Sequence, residues 1–192
     1  MPGSDASRQR LFIAIPCPLT PAISSALDEL RAAQRDPASG LRVVSADTLH
    51  ITLSFPGSVP AERVADVHEA MAQLRILPAP QLAIRGAGHF SSALWLGVEQ
   101  PEGGTSAALD AIAQRCESEL RARGFELECR PFHPHVTVAR RRNGGHFDCT
   151  AWCERHRDTA WTAFTADAVH LYRSETRDNG SRYSVIHSVA LR

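Results

Sequence analysis

The 192-residue sequence contains no lysine: all 21 basic residues are arginine, and 21 acidic residues bring the net charge to +0. Without a surplus of positive charge the chain lacks the whole-molecule field that non-specific duplex binders use. Contact with nucleic acid is therefore expected to be local, and arginine's planar guanidinium suits two-pronged phosphate contacts. Long apolar runs are also missing, since none approaches the roughly 20 residues of a membrane span. Arg8 and Arg10 before the apolar run Leu11 to Leu19 imitate a secretory signal, but Pro16 and Pro18 interrupt it. The 5 cysteines are an odd number, scattered through a chain too large to need staples, which argues against a secreted disulfide framework. Hydrophobic residues at 43% and charged residues at 22% exclude a disordered tail. The expectation is a cytoplasmic, membrane-free monomer with no obligate protein partner, forming a single domain over residues 1–192.

What is present reads as alternating strands and helices. Leu11 to Ile15 is a short apolar run suited to a buried strand. Thr20 caps a helix with Pro21 in its first turn and Ile23, Leu27, Leu30 and Ala33 at helical spacing. A β-rich segment from Leu49 to Phe55 stops at Pro56-Gly57 on this reading, and a helix with Val64, Val67, Met71 and Leu74 on its apolar stripe follows Ser58. The pattern then recurs. Strands are expected at Gln81 to Ala87 and Ala93 to Glu99, then a helix from about Ser106 that buries Leu109, Ile112, Cys116 and Leu120 and stops at Gly124. A strand around Phe125 to Cys129 and a β-rich run His135 to Ala139 come next, and Arg141 to Thr159 reads as a long surface loop. Closing strands at about Ala166 to Ser174 and Arg182 to Leu191 flank a turn at Asp178-Asn179-Gly180. The order strand, helix, histidine-bearing strand occurs twice. It suggests two comparable lobes around one groove.

His50-Ile51-Thr52 and His135-Val136-Thr137 occupy corresponding places in the two copies. The strand period of two puts each imidazole beside a hydroxyl on one face, while Ile51, Leu53, Val136 and Val138 point the other way. Two imidazoles facing each other suit metal-free phosphoryl transfer: one takes a proton from the attacking oxygen and the other protonates the leaving oxygen. The Thr52 and Thr137 hydroxyls are then placed to donate to non-bridging phosphate oxygens. Arg140 is a phosphate-binding candidate, but it lies an odd number of residues after His135 and reaches the same face only if the strand ends or bulges first. His133, in register with His135, makes a metal pair conceivable, yet no nearby Asp or Glu completes a ligand set. No cofactor or metal is expected. His146, Cys149, Cys153 and His156 are zinc-ligand residue types, though their spacing is not that of a finger. Phe90 is either a stacking platform for a base at the groove mouth or a core side chain.

The chain resembles the RNA 2′,3′-cyclic phosphodiesterases of the two-histidine phosphoesterase superfamily, historically called 2′-5′ RNA ligases. The resemblance runs through RLFIAI at 10–15, LHITLSF at 49–55, GHFSSALWLGV at 88–98, RPFHPHVTVAR at 130–140 and LYRSETRDNGSRY at 171–183. It implies an α+β fold of two pseudo-symmetric lobes, with antiparallel sheets lining a central groove and helices on the outside, and His50, Thr52, His135 and Thr137 as the catalytic set, with a basic residue usual at the position of Arg140. The implied reaction opens RNA 3′ ends carrying a 2′,3′-cyclic phosphate to 2′-phosphates, and 2′-5′ ligation of such an end to a 5′-hydroxyl is a further reaction that the resemblance implies. Pro56 departs from the family, where Leu is more common. Other readings are an esterase for small cyclic nucleotides or ADP-ribose cyclic phosphate, and a non-catalytic nucleotide-binding module.

Overall fold

The computed structural model describes residues 8–177 and 180–192. Its strands are β1 (Arg8–Pro16), β2 (Leu41–Val43), β3 (His50–Pro60), β4 (Gln81–Phe90), β5 (Ala93–Glu99), β6 (His135–Arg141), β7 (Ala160–Thr165), β8 (Ala168–Arg177) and β9 (Gly180–Ala190). Its helices are α1 (Pro21–Gln34), α2 (Val64–Ala72), α3 (Ala107–Ala122) and α4 (Cys149–Arg155). The strands form one antiparallel sheet in the order β7-β4-β5-β6-β3-β1-β8-β9, with β2 added beside β6. β3 and β6 meet at a single pair, Ile51 with Val136, and on either side of that seam lies one copy of the repeated pattern. The α+β architecture expected from the sequence is the one observed, with the two halves fused edge to edge.

Local chemistry explains the helices. The Thr20 hydroxyl accepts the Ile23 N–H at 3.4 Å and Ser106 accepts that of Leu109 at 3.3 Å, each satisfying an otherwise unpaired amide of the first turn. Ile23, Leu27 and Leu30 of α1 and Leu109, Ile112, Cys116 and Leu120 of α3 are buried. After α3, Gly124 takes φ +77°, a conformation that side chains with a Cβ resist. The crossover helices are exchanged between halves. α1, which leads from β1 to β3, packs against β2 and β7, and the Thr20 hydroxyl donates to the Trp161 carbonyl at 3.1 Å. α3, which leads from β5 to β6, packs against β3 and α2. Leu11, Ile13, Ile15, Ile51, Leu53, Val136 and Val138 join these helices in one core, so the helices cover one face of the sheet and leave the other to the His-x-Thr side chains.

Four expectations fail for identifiable reasons. β3 does not stop at Pro56: two residues, Phe55 and Pro56, sit between the pairs Leu11–Gly57 and Ile13–Ser54, and this bulge accommodates a residue that has no N–H to donate. No strand forms at 125–129, where alternating side chains find no partner strand and Pro131 and Pro134 follow. The stretch 141–159 is not all loop: Asp148 accepts the Ala151 N–H at 2.9 Å to start α4, whose Trp152 is fully buried. The helix after Ser58 begins only at Val64, behind a turn of 3-10 helix. Strands β2 and β7 are additions, and Asp178 and Asn179 of the expected turn at Asp178-Asn179-Gly180 lie outside the described residues.

Candidate active site

The seam pair Ile51–Val136 sets the register of the site. One position out on either side, the antiparallel direction puts His50 opposite Thr137 and Thr52 opposite His135. The two histidines are thus diagonal neighbours, a relation that spans about 7–8 Å between Cα atoms and leaves room for a phosphate between the rings. His50 Nδ1 lies 2.6 Å from the Thr48 carbonyl and His135 Nδ1 lies 2.7 Å from the His133 carbonyl. A carbonyl only accepts, so each Nδ1 carries the proton and donates it, leaving Nε2 of each neutral ring as an acceptor. The same backbone contact, two residues upstream, fixes both tautomers.

Burial lowers the pKa of His50 below that of a free imidazole; the Thr48 hydrogen bond opposes this, and the positive charges of Arg140 and His135 add to the lowering. Burial likewise lowers that of His135, opposed by its bond to the His133 carbonyl and reinforced by His133 and Arg140. Aromatic rings supply the burial. Phe12 stands 4.9 Å and Tyr183 5.6 Å from the His50 ring, and Phe12 stacks on Tyr172 at 4.9 Å. Phe90 stands edge-on to His135 at 5.2 Å, and Trp95 is 5.0 Å from His133. Trp95 lies over Gly88, where an added Cβ would come within 2.2 Å of the indole.

Arg140 reaches the site through a bulge. Thr137 pairs with Trp95 and Ala139 with Leu94, so Val138 is an extra residue. Val138 and Ala139 are both fully buried, the alternation shifts by one, and Arg140 returns to the histidine face. Its charge is felt by both imidazoles. Phe90 is 39% exposed at this site and is not a core side chain. Phe12, Tyr172 and Tyr183 were missed in the sequence, although each sits in a stretch that carries the family resemblance. His146, Cys149, Cys153 and His156 stand apart from the groove: Cys149 is buried, His156 Nε2 pairs with Glu29 at 3.1 Å, and among the described residues no cluster of metal-ligating side chains forms. A shallow depression on β4 and β7, lined by Ala83, Arg85, Glu99 and Thr162, includes neither site histidine.

Residues 19–178 match the 2′-5′ RNA ligase superfamily. The chain belongs to that superfamily. An RNA 2′,3′-cyclic phosphodiesterase of Escherichia coli (strain K12) is 37% identical over 134 residues, which cover 69% of this chain and 72% of that protein. One of Geobacillus stearothermophilus is 33% identical over 177 residues, covering 87% of this chain but 52% of that protein, so the chain spans about half of its length. A crystal structure of E. coli LigT complexed with 3′-AMP superposes with a TM-score of 0.73 at 29% identity, covering 96% of this chain and 99% of that one. The superfamily match includes both His-x-Thr elements and Arg140. No described helix is long and apolar enough to cross a membrane.

Proposed function

We propose that this superfamily member opens the 2′,3′-cyclic phosphate at RNA 3′ ends, leaving a 2′-phosphate, with His50 and His135 as its acid and base. The observation that carries the reading is the mirrored pair of imidazoles, each with Nδ1–H donated to the carbonyl two residues back and Nε2 left to exchange a proton. His135 Nε2 takes a proton from water as its oxygen bonds to phosphorus. The bond from phosphorus to the 3′ oxygen breaks, and His50 Nε2–H protonates that oxygen. Thr52, Thr137 and the Arg140 guanidinium stabilise the negative charge on the non-bridging oxygens. Phe90 offers an apolar face to a nucleobase beside His135. A 5′-hydroxyl in place of that water forms a 2′-5′ linkage by the same steps, with the same bond to the 3′ oxygen broken, and water at bulk concentration favours hydrolysis.

The proton inventory balances without a metal, so turnover is expected to persist in EDTA. On this reading the protein acts as a cytoplasmic monomer. The deciding experiment incubates the purified protein with an oligoribonucleotide ending in a 2′,3′-cyclic phosphate and maps the product phosphate. A 2′-phosphate is the expected result. No opening, or a 3′-phosphate as the main product, overturns the reading.

A further inference from the structure

The short strand β2 brings a second arginine to the site. Its pairing with β6 sets Leu41 opposite Arg141, Arg42 opposite Arg140 and Val43 opposite Ala139. Leu41 and Val43 pack into the core, so Arg42 between them shares the histidine face with Arg140, and both arginines are exposed. Residues directly opposite on neighbouring strands stand about 4.5–5.5 Å apart at Cβ, where two like charges oppose the pairing. Among the described residues no carboxylate ion-pairs with either guanidinium. The next two arginines serve the fold instead: Arg141 Nη2 donates to the Gly145 carbonyl at 3.1 Å and Arg142 Nη2 to that of Pro37 at 3.4 Å. β2 itself is held firmly, with the Val43 N–H donating to Gln34 Oε1 at 2.6 Å and the Val44 N–H to the Val138 carbonyl at 3.0 Å. Two opposed cations on a fixed strand pair are a cost in the free protein that a bound anion offsets.

We infer that Arg42 binds the phosphodiester joining the terminal nucleotide to the rest of an RNA chain, so that the site selects chain ends over free cyclic mononucleotides, an inference that rests on the phosphodiesterase reading above. A cyclic phosphate carries one negative charge, which Thr52, Thr137 and Arg140 already answer. A second guanidinium matches a second anion, and in an RNA 3′ end the next anion is the phosphodiester one nucleotide upstream. The arginine pair lies two ladder steps beyond Thr137, from Trp95 to Ala93 on β5, which is about 7 Å by the rise of a strand. That is the scale of the step between successive phosphates of a single strand. Arg42 then takes the linking phosphate through a planar, two-pronged contact and leaves Arg140 to the reacting one. A free cyclic mononucleotide has no group to place on Arg42.

The test compares two dinucleotides that end in adenosine 2′,3′-cyclic phosphate and carry a 2′-O-methyl group on the first ribose, one joined by a phosphodiester and the other by an uncharged methylphosphonate. Wild type is expected to open the charged dinucleotide with a kcat/KM about 5- to 50-fold higher, chiefly through KM, the range for a charge-assisted hydrogen bond at an exposed position. Arg42→Gln is expected to reduce that preference to about twofold or less, and Arg42→Lys to keep part of it. For the charged dinucleotide the dependence of log KM on log salt should flatten by about 0.7 in Arg42→Gln, the share of one phosphate on a single strand. Because Arg42→Gln removes one of two opposed like charges, its Tm is expected at or above that of wild type. Equal kcat/KM of wild type for the two dinucleotides overturns the phosphate contact. A loss in Arg42→Gln that is the same for both places Arg42 on the reacting phosphate and overturns it as well. If wild type opens neither dinucleotide, the phosphodiesterase reading falls, and titration with the same two dinucleotides ending in a 2′-phosphate decides the contact alone. Tighter binding of the charged one that Arg42→Gln abolishes upholds the contact, and equal binding overturns it.

Discussion

The half of the sheet that carries His50 and the half that carries His135 share a strand plan and differ in what lies over it. In both, the Nδ1 of the histidine is tied to a carbonyl two residues upstream, the threonine follows on the same face, and a bulge sits three residues after the histidine. Across the next two strands they part. Thr52 is followed by Ala14 and then His170, whose Nδ1 lies 2.9 Å from the Ser188 hydroxyl; Thr137 is followed by Trp95 and then Gly88, with the indole against the glycine. Phe55 on one side answers Arg140 on the other. What repeats is the pair of imidazoles, each with Nδ1 held by a carbonyl and Nε2 left as an acceptor. What differs is the surface: rings of Phe12 and Phe55 lie on the half of His50, and the Arg140 guanidinium and the rings of Phe90 and Trp95 lie on the half of His135.

The largest expected effect tests the shared part. His50→Ala and His135→Ala should each reduce turnover of the cyclic phosphate by about 10² to 10⁴-fold with folding intact, and the double variant should be far less than multiplicatively worse. Near-normal activity in either one would show that the halves are alike in shape but not in chemistry. Next come the phosphate contacts. Thr52→Val and Thr137→Val keep the β-branched shape and delete the hydroxyl, so each should lower kcat/KM by about 10 to 10³-fold without moving the pH limbs. A large loss in one threonine alone would locate the charged oxygens on that half.

The pH profile separates Arg140 from the threonines. Both imidazoles have pKa values lowered from the ordinary 6.5, so the bell in kcat/KM, which reports the free enzyme, should be centred on the acid side of that value. Arg140→Gln removes a positive charge that opposes protonation of both rings. Both limbs should therefore move to higher pH, and limbs that stay in place in kinetic titrations would separate the guanidinium from the histidines.

The smallest expected effect concerns the helix exchange that binds the halves together. Glu29 of α1 pairs with Arg155 at 2.6 Å and with His156 at 3.1 Å, joining the crossover helix of one half to the helix under the other. Partial burial pushes the Glu29 carboxyl up, but Arg155 and His156 outweigh it and its pKa is lowered. A depressed carboxyl contributes stability above its unfolded pKa and loses it as pH falls through the folded value. Glu29→Gln should therefore cost about 1 kcal/mol or less in thermal or urea unfolding at neutral pH, and the difference from wild type should vanish in acid.

The sequence by itself determined the His-x-Thr faces and most of the elements, because these rest on short-range rules. Period-two alternation put His and Thr on one face of each strand, Thr20 and Ser106 marked where α1 and α3 begin, and the doubled order of elements announced two halves. α4 escaped because its buried side chains are few and lie among polar neighbours, and the continuation of β3 escaped because Pro56 reads as a stop unless the partner strand is known. Only the tertiary structure decided how the halves meet, at Ile51 and Val136, and that their crossover helices are exchanged. It alone brought Arg140 and Phe55 to the histidine face. A bulge is a mismatch between two paired strands, and one strand's sequence does not contain the register that creates it.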